Sequence, residues 1–422
     1  MSDLIGRDRT VTWHPFTQHG VDGDPMPVVG ARGARLHLAD GRELVDGISS
    51  WWATLHGHGE PRLVEAIERQ YRQLDHVLFA GTTHEPAVRL AERLVEKAPE
   101  GLTRVFFSDN GSTAVEVALK MVVQRWVHQG EPQRTVFVAL EGGYHGDTFG
   151  AMAVGDPDPF FEPFKRMLFE VRRIPVDTAA AVRALDELGD RAAGVILEPR
   201  LMGAAGMKIQ PMGFVGALRQ ITTKRGVPLI ADEVMTGFGR TGHLFACQGE
   251  GVTPDLMCLA KGLTGGMFPM SVTLAREEFF EAFRSEDRSR AFFHGHTFTA
   301  HPVGCAVALA SLDLIEERHT PALLARLGAR LHERLAGLTS NPRVSGLRRV
   351  GGAVAFELAG PEGQPHGYLS NRSRALREVA LRHGALLRPL GDTLYALPPA
   401  CTTDEELETL AVAFEAMVAS GL

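Results

Sequence analysis

The stretch V-P-L-I-A-D-E, from Val227 to Glu233, decides the fold of this 422-residue chain. An apolar run that ends in two acidic residues is typical of a buried strand with polar groups at its carboxyl end. The stretch P-D-L-M-C-L-A-K, from Pro254 to Lys261, repeats the pattern and ends in a lysine. Continuous apolar strands that alternate with helices indicate an α/β fold, in which helices cover both faces of a mostly parallel sheet.

The same alternation of strand and helix extends upstream of these two stretches. Short apolar runs predict strands, and longer runs with apolar residues three and four positions apart predict helices. The predicted strands are Arg104–Asp109, Arg134–Leu140 and Ala193–Pro199, and the predicted helices include Ser112–Trp126 and Phe214–Arg225.

The two ends of the chain follow other patterns. Residues 35–48 alternate about an Asp-Gly turn, which predicts a hairpin. Beyond residue 311, helical segments precede the apolar runs Ala353–Leu358 and Ala385–Leu390, which predict a smaller α+β domain. We therefore expect an N-terminal segment over residues 1–55, a large domain over 56–310 and a small domain over 311–422.

Composition narrows the class of protein. A formal net charge of −7 argues against binding nucleic acid through a general basic surface. The chain begins without the apolar run of a secretory signal and has no apolar stretch of membrane-spanning length, so we expect a cytoplasmic protein. The cysteines lack zinc-ligand spacing, and we expect no metal site and four buried free thiols, at Cys247, Cys258, Cys305 and Cys401.

Polar residues follow several predicted strands at the edge where α/β sheets bind ligands. In D-N-G-S-T, Gly111 and Ser112 stand where a helix begins, and the free N–H groups there favour an anion. Ser112 could instead be only the N-cap of that helix. In G-G-Y-H-G-D, the ring of Tyr144, beside His145, could stack on a flat cofactor or serve packing alone.

Two charged residues end buried strands. Asp232 needs a partner there, and it could cap a turn, bind a metal or hold a protonated ring nitrogen. Lys261 ends a buried strand and precedes glycines, while the other five lysines stand in ordinary helical or loop sequence. Burial lowers the pKa of a lysine readily, which suits Schiff-base chemistry, although an ion-paired structural lysine is the alternative.

These features together match the needs of one cofactor, pyridoxal 5'-phosphate. That cofactor requires an anion site for its phosphate, a lysine for its Schiff base and an acid for its ring nitrogen. The acid keeps the pyridine protonated, so that the ring accepts electrons when the α-carbon of the substrate loses its proton. Lys261, once displaced by the substrate, can carry that proton.

With these residues in place, the sequence resembles the class III aminotransferases, which have the type I fold of pyridoxal-phosphate-dependent enzymes. The resemblance runs from about Trp13 to the end of the chain. The blocks that carry it are W-H-P-F-T, D-G-I-S-S-W-W, S-D-N-G-S-T-A-V-E-V-A-L-K-M, Y-H-G-D-T-F-G-A-M, A-D-E-V-M-T-G-F-G-R-T-G, K-G-L-T-G-G, H-G-H-T-F and L-R-P-L-G-D. Within the family, three blocks resemble the biotin-pathway branch, which converts 8-amino-7-oxononanoate to 7,8-diaminononanoate. They are W-H-P in the N-terminal tail, S-S-W-W and Y-H-G-D-T-F-G.

The resemblance implies a role for each matched residue. Lys261 would form the Schiff base, Asp232 would pair with the ring nitrogen, and Tyr144 would contact cofactor and substrate. The phosphate and the cofactor face would be held by Gly111, Ser112 and His145, and by His296 and Thr297 of a second copy, so that the active unit is a homodimer. The substrate site would be lined by Phe16, Trp51, Trp52, Tyr144 and Gly295, and Arg388 would bind the distal carboxylate of the oxononanoate.

The sequence departs from the family pattern at three positions. Met202 stands where glutamine is common, and His296 stands where one branch has proline. Phe16 stands where members that use S-adenosylmethionine as amino donor carry tyrosine, and relatives with phenylalanine use lysine. We expect S-adenosylmethionine as the donor, with lysine as the alternative. Two other hypotheses are an ω-aminotransferase of other amines and an inactive fold that only binds a ligand or partner.

Overall fold

A computed structural model describes residues 2–156, 161–360 and 372–422. Its strands are β1 (Val28–Arg32), β2 (Arg35–Leu38), β3 (Glu43–Asp46), β4 (Leu102–Ser108), β5 (Val136–Leu140), β6 (Val171–Ile174), β7 (Ala192–Leu197), β8 (Leu201–Met202), β9 (Lys208–Ile209), β10 (Leu229–Asp232), β11 (Leu256–Leu259), β12 (Ser271–Arg276), β13 (Val344–Val350), β14 (Ala353–Leu358), β15 (Ala385–Leu386) and β16 (Thr393–Ala396).

The helices surround these strands. They are α1 (Ser2–Val11), the single turn α2 (Ser49–Trp52), α3 (Pro61–Gln73), α4 (Glu85–Lys97), α5 (Gly111–His128), α6 (Phe149–Val154), α7 (Thr178–Leu188), α8 (Phe214–Arg225), α9 (Glu277–Phe283), α10 (Pro302–Glu317), α11 (Thr320–Leu335), α12 (Arg372–Arg382) and α13 (Asp404–Ala419). None of these helices is both long and apolar enough to cross a membrane, as far as the described residues go.

The central sheet has seven strands in the order β4-β12-β11-β10-β7-β5-β6. Strand β12 is antiparallel to both of its neighbours, and the other six strands run in one direction. The predicted mostly parallel sheet is thus confirmed. The stretch that predicted it supplies β10, between β7 and β11, where Ile230 pairs with Ile196 on one side and Leu256 on the other.

Alternate residues of β10 explain why helices cover both faces of this sheet. Ile230 packs in the core that contains Val115 and Val122 of α5. Leu229 and Ala231 point to the opposite face, where the core includes α4, α7, α8 and α10. A strand that is buried on both faces has to be apolar along its whole length, and that is the pattern seen in the sequence.

The second core lies beside the central sheet. It packs β14 and β16 against α12 and α13, and it also includes Val45, Ile48 and Trp52 from the N-terminal part of the chain. Strand β15 covers only two residues of the predicted run, and it pairs in parallel with β3 rather than with β14. The predicted hairpin of β2 and β3 is confirmed. The boundaries at residues 55 and 310 stay a prediction.

The cysteines follow the prediction at three of four positions. Cys247, Cys258 and Cys305 are buried free thiols, whereas Cys401 is exposed, so its predicted burial is wrong. Cys401 differs because it lies in the turn between β16 and α13, at the surface of the second core. A loop residue is exposed more often than a residue of a buried strand or helix.

Candidate active site

Four segments of the central sheet converge on one cavity of about 530 Å³. The cavity is lined at the carboxyl ends of β4, β5, β10 and β11, and the single turn α2 closes another side. Eight residues that the sequence singled out line it together: Trp51, Trp52, Gly111, Ser112, Tyr144, His145, Asp232 and Lys261.

The start of α5 forms an open group of backbone donors. Asn110 is the N-cap, because its Oδ1 accepts a hydrogen bond from the N–H of Thr113 at 3.1 Å. The alternative that Ser112 is the N-cap is therefore wrong, and the Oγ of Ser112 stays at the cavity, where it accepts from the N–H of Asp147 at 3.3 Å. A Cβ at Gly111 would lie 2.6 Å from Val234, so only glycine fits.

The Asp232 carboxylate is buried and has two partners. Its Oδ2 lies 2.7 Å from Nδ1 of His145, and its Oδ1 accepts from the N–H of Val234 at 3.0 Å. Nε2 of His145 is buried and has no partner among the described residues. A buried polar atom without a partner is rare, and this one belongs to a histidine that lines the cavity and holds the Asp232 carboxylate.

Lys261 follows β11 in a left-handed backbone conformation, with φ of +44°. Its Nζ lies 5.0 Å from the centre of the Trp52 ring, and it makes no hydrogen bond or ion pair within the described residues. The alternative of an ion-paired structural lysine is therefore wrong. Burial lowers the pKa of Lys261, which favours the neutral amine that Schiff-base chemistry needs.

Glu198 is a site residue that the sequence analysis missed. It follows β7, lines the cavity and accepts from the N–H groups of Tyr144 at 3.1 Å and Gly203 at 3.0 Å. Burial raises the pKa of Glu198 to about 7, and the neighbouring Asp232 carboxylate acts in the same direction. Its position after an apolar strand was the available signal.

The hydroxyl of Tyr144 donates to Oδ1 of Asp147 at 3.0 Å. Burial and the Asp147 carboxylate both raise the pKa of Tyr144, so the hydroxyl keeps its proton. The ring of Tyr144 is stacked on Phe161, with the centres 6.2 Å apart. The ring of Tyr144 therefore packs against Phe161 and also lines the cavity.

The mouth of the cavity is built around Trp51. The ring of Phe16 lies 5.3 Å from the ring of Trp51, and the guanidinium carbon of Arg388 lies 4.7 Å from the centre of the same ring. Phe16 and Arg388 are not among the described residues that line the cavity, but both contact one that is. We call these three residues the Trp51 stack.

The predicted residues Gly295, His296 and Thr297 lie away from the cavity wall, in the connection that leads to α10. Gly295 and Thr297 are exposed. Nδ1 of His296 lies 3.9 Å from Oδ2 of Asp109, which does line the cavity. This loop is thus close to the anion site of α5 but does not complete it within one chain.

The turn α2 has an unusual backbone. Its four residues, Ser49, Ser50, Trp51 and Trp52, have φ of +49°, +44°, +71° and +69°. Left-handed backbone costs roughly 1–2 kcal/mol for each residue other than glycine. The turn is held by hydrogen bonds from Ser49 Oγ to the carbonyl of Leu397 and from Trp52 Nε1 to the hydroxyl of Tyr395.

The donor set of the cavity fits pyridoxal phosphate. The N–H groups at the start of α5 suit a phosphate, and the buried Asp232 carboxylate suits a protonated ring nitrogen. The buried Nε2 of His145, which has no partner among the described residues, leaves one ring nitrogen for a polar contact beside the Asp232 carboxylate. Lys261 is an unpaired amine at the same cavity.

Known proteins agree with this geometry. The family model for class-III aminotransferases matches residues 16–418. An adenosylmethionine-8-amino-7-oxononanoate aminotransferase of Synechococcus elongatus is 48% identical over 413 residues, which cover 94% of this chain and 96% of the relative.

Two solved structures are similar over nearly the whole chain. A crystal structure of adenosylmethionine-8-amino-7-oxononanoate aminotransferase from Methanocaldococcus jannaschii has a TM-score of 0.95 at 32% identity and covers 99% of each chain. A PLP-bound amine transaminase from an uncultivated Pseudomonas species has a TM-score of 0.91 at 32% identity, over 98% of this chain and 99% of the other. This chain belongs to the class-III aminotransferase family of pyridoxal-phosphate-dependent enzymes.

Proposed function

We propose that this aminotransferase converts 8-amino-7-oxononanoate to 7,8-diaminononanoate in biotin biosynthesis, with S-adenosylmethionine as the amino donor. The observation that carries the proposal is 48% identity, over nearly the full length, to a relative with that name. The Trp51 stack supports it, because it places a guanidinium at the mouth of a cavity whose far end fits the cofactor. The cytoplasm is the compartment that we propose for it.

On the cofactor side, each residue is assigned one task. The N–H groups of Gly111 and Ser112 hold the phosphate, and Asp232, oriented by His145, keeps the proton on the ring nitrogen. When bound, pyridoxal phosphate supplies an electron sink that lowers the barrier to removing the α-proton of a substrate. Lys261 holds and moves that proton at Nζ, since its pKa is lowered by burial.

On the substrate side, the proposal rests on chemistry that fits a long acid with a terminal carboxylate. Arg388 binds that carboxylate, since a guanidinium offers two parallel N–H donors. Trp51, Trp52 and Phe16 cover the apolar carbon chain and exclude water from it. Tyr144, whose hydroxyl is fixed by Asp147, borders the cofactor and both substrates.

We also propose that the active unit is a homodimer, in which His296 and Thr297 of the second copy approach the phosphate. Large apolar side chains are exposed in the same loop, Phe293 at 74% and Phe298 at 53%. A second copy that covers this loop would remove both rings from water, which favours association. Within one chain, Nδ1 of His296 lies 3.9 Å from Oδ2 of Asp109, so a second copy that covers this loop would also lie beside the anion site.

The test is a direct assay of the purified enzyme loaded with pyridoxal phosphate. The enzyme is incubated with 8-amino-7-oxononanoate and either S-adenosylmethionine or lysine, and the diamine is measured by mass spectrometry. We expect product with S-adenosylmethionine and little with lysine. Absence of the diamine with every donor, from an enzyme that carries the visible absorbance of the bound cofactor, would contradict the proposal.

A second assay separates this reaction from the ω-aminotransferase alternative. Arg388→Met should raise KM for 8-amino-7-oxononanoate by roughly 10–100-fold, because the carboxylate loses a charge-assisted pair of hydrogen bonds. The same variant should leave the reaction with a simple uncharged amine nearly unchanged. Arg349→Met serves as the control, because Arg349 lies in β13, away from the cavity.

A further inference from the structure

The left-handed turn α2 is joined to two other parts of the chain by one arginine, Arg240. Arg240 belongs to the G-F-G-R-T-G block, and its exposed fraction is 1%. It is not among the described residues that line the cavity. Its Nη1 donates to Ser49 Oγ and to the carbonyl of Pro398, each at 3.2 Å, and its Nη2 donates to the carbonyl of Trp52 at 3.2 Å. Both ends of the turn are therefore bound to one guanidinium.

The charge on Arg240 has no carboxylate partner within ion-pair distance in the described part of the chain. Burial lowers the pKa of Arg240 to about 10, and the Asp46 carboxylate opposes that shift. The Nε–H of Arg240 is buried and has no partner among the described residues, and the Nη groups bind only carbonyl and hydroxyl oxygens, so this buried cation is costly. Two of its three acceptors, Ser49 Oγ and the carbonyl of Trp52, belong to the strained turn, so the guanidinium binds that turn in particular.

The turn decides where two rings of the substrate site lie. Trp52 is buried, lies beside Lys261 and donates to the hydroxyl of Tyr395. Trp51 is 40% exposed and is the centre of the Trp51 stack. Both rings belong to the turn itself and line the cavity, so a change in its left-handed backbone would move Trp51 and Trp52 relative to the cavity.

We propose that Arg240 is a positioning residue that locks α2 in its left-handed conformation and thereby sets the shape of the substrate site. This inference rests on the proposed function and names the residue on which its specificity depends. Arg240 has no hydrogen bond to Asp232, His145, Ser112 or Lys261, and it acts on Lys261 only through its charge, which Arg240→Lys keeps. Its loss should therefore affect substrate binding more than cofactor binding.

The experiment compares Arg240→Lys and Arg240→Met with the wild-type holoenzyme. A lysine keeps the charge but has one nitrogen, which cannot bind three acceptors in the directions that the guanidinium uses. We expect KM for the oxo acid to rise about tenfold or more in Arg240→Lys, with a much smaller fall in kcat and unchanged cofactor absorbance. Arg240→Met should have the larger effect.

A second readout does not depend on activity. Trp13 is exposed, so it is first replaced by Phe to remove its fluorescence. Acrylamide quenching of the remaining tryptophan fluorescence then reports mainly on Trp51, because Trp52 and Trp126 are buried. Quenching should increase in Arg240→Lys. This measurement tests the inference even if the proposed substrate is wrong, and a lack of product from the wild type counts only against the proposed function.

A glycine provides the rescue. Ser50→Gly in the Arg240→Lys variant should recover part of the KM and part of the protection from quenching, because glycine adopts left-handed backbone without strain. Arg173→Met is the control, because Arg173 also donates to backbone carbonyls, those of Gly155 and Ala153, and does not line the cavity. Unchanged KM and unchanged quenching in folded Arg240→Lys would overturn the proposal, and so would an equal effect of Arg173→Met.

Discussion

The cofactor side and the substrate side of the cavity are built in different ways. Asp232 ends strand β10 and His145 lies in the loop after β5 of the same sheet; both are buried, and Oδ2 of Asp232 lies 2.7 Å from Nδ1 of His145. The Trp51 stack takes one residue from the N-terminal tail, one from α2 and one that follows β15, and Phe16 and Trp51 are each about 40% exposed. One side is part of the core, and the other is assembled from chain-distant segments at the surface.

This difference teaches which side can vary. A change on the cofactor side disturbs buried charges and the sheet that holds them, so its cost is high. A change in the Trp51 stack alters contacts that are half exposed to water, so it should tune substrate choice at small cost to stability. The effects of substitutions on the two sides should therefore differ in size and in kind. The following four substitutions test that difference, from the largest expected effect to the smallest.

The largest effect is expected at Lys261. Lys261→Ala should reduce turnover by roughly 10²–10⁴-fold or more, because no other described amine lies at the cavity to move the proton. Melting temperature and circular dichroism should remain close to wild type. Lys224→Ala is the control, since that exposed lysine lies on α8. Near wild-type turnover in Lys261→Ala would contradict the role of Lys261 in moving the substrate proton.

Asp232→Asn should reduce turnover by roughly 10²–10³-fold, because a neutral amide holds the proton of a ring nitrogen poorly. Asp255→Asn is a matched control on the other edge of the same sheet, where that buried carboxylate accepts from the N–H of Leu229 and pairs with Arg219. The control should lose stability and keep its turnover. Equal kinetic effects in the two variants would mean that Asp232 acts through the fold alone.

Glu198 should make the cofactor side sensitive to pH. The pKa of this carboxyl is raised from 4.5 to about 7 in the folded chain, so the folded state holds more protons than the unfolded state in that window. Relative to Glu198→Gln, the wild type should lose roughly 3 kcal/mol of unfolding free energy as pH rises from about 4.5 to about 7.

Urea unfolding of the cofactor-free protein at several pH values measures this difference. Glu68→Gln is the control, because Glu68 is an exposed residue paired with Arg72 on α3 and should produce no such slope. A wild type that gains stability relative to Glu198→Gln over the same window would contradict the sign of the effect.

The smallest effect is expected in the Trp51 stack. Phe16→Tyr adds one hydroxyl at the mouth of the cavity, and a new neutral hydrogen bond to a donor substrate contributes roughly 0.5–1.5 kcal/mol. The ratio of kcat/KM for S-adenosylmethionine to that for lysine should therefore rise by a few-fold to about tenfold. Phe280→Tyr is the control, on α9 and far from the cavity. An unchanged ratio would show that position 16 does not affect the donor.

The sequence predicted the cofactor side well because its determinants are local. An apolar run followed by a charged residue places that residue at a strand end, and this was enough to find Asp232 and Lys261. Local signals were ambiguous where two residues could do the same task, as at the start of α5, where Asn110 rather than Ser112 is the cap.

The features that the sequence did not predict depend on tertiary contacts. The left-handed backbone of S-S-W-W has no signature in residue type, since serine and tryptophan ordinarily avoid it, and it exists because Arg240 and the chain near Pro398 hold it. The pairing of β15 with β3 also joins residues far apart in the chain. The roles of Gly295, His296 and Thr297 require a second copy and stay a prediction.

The reversed strand β12 has a consequence for the order of folding. It lies between β11 and β4, so that Ser108, just before the anion site, pairs with Ser271. A contact between residues so distant in sequence closes a long loop and forms slowly. Lys261 and the start of α5 can therefore meet only when the edge of the sheet is complete, and recovery of cofactor binding during refolding should be a late event that reports a finished sheet.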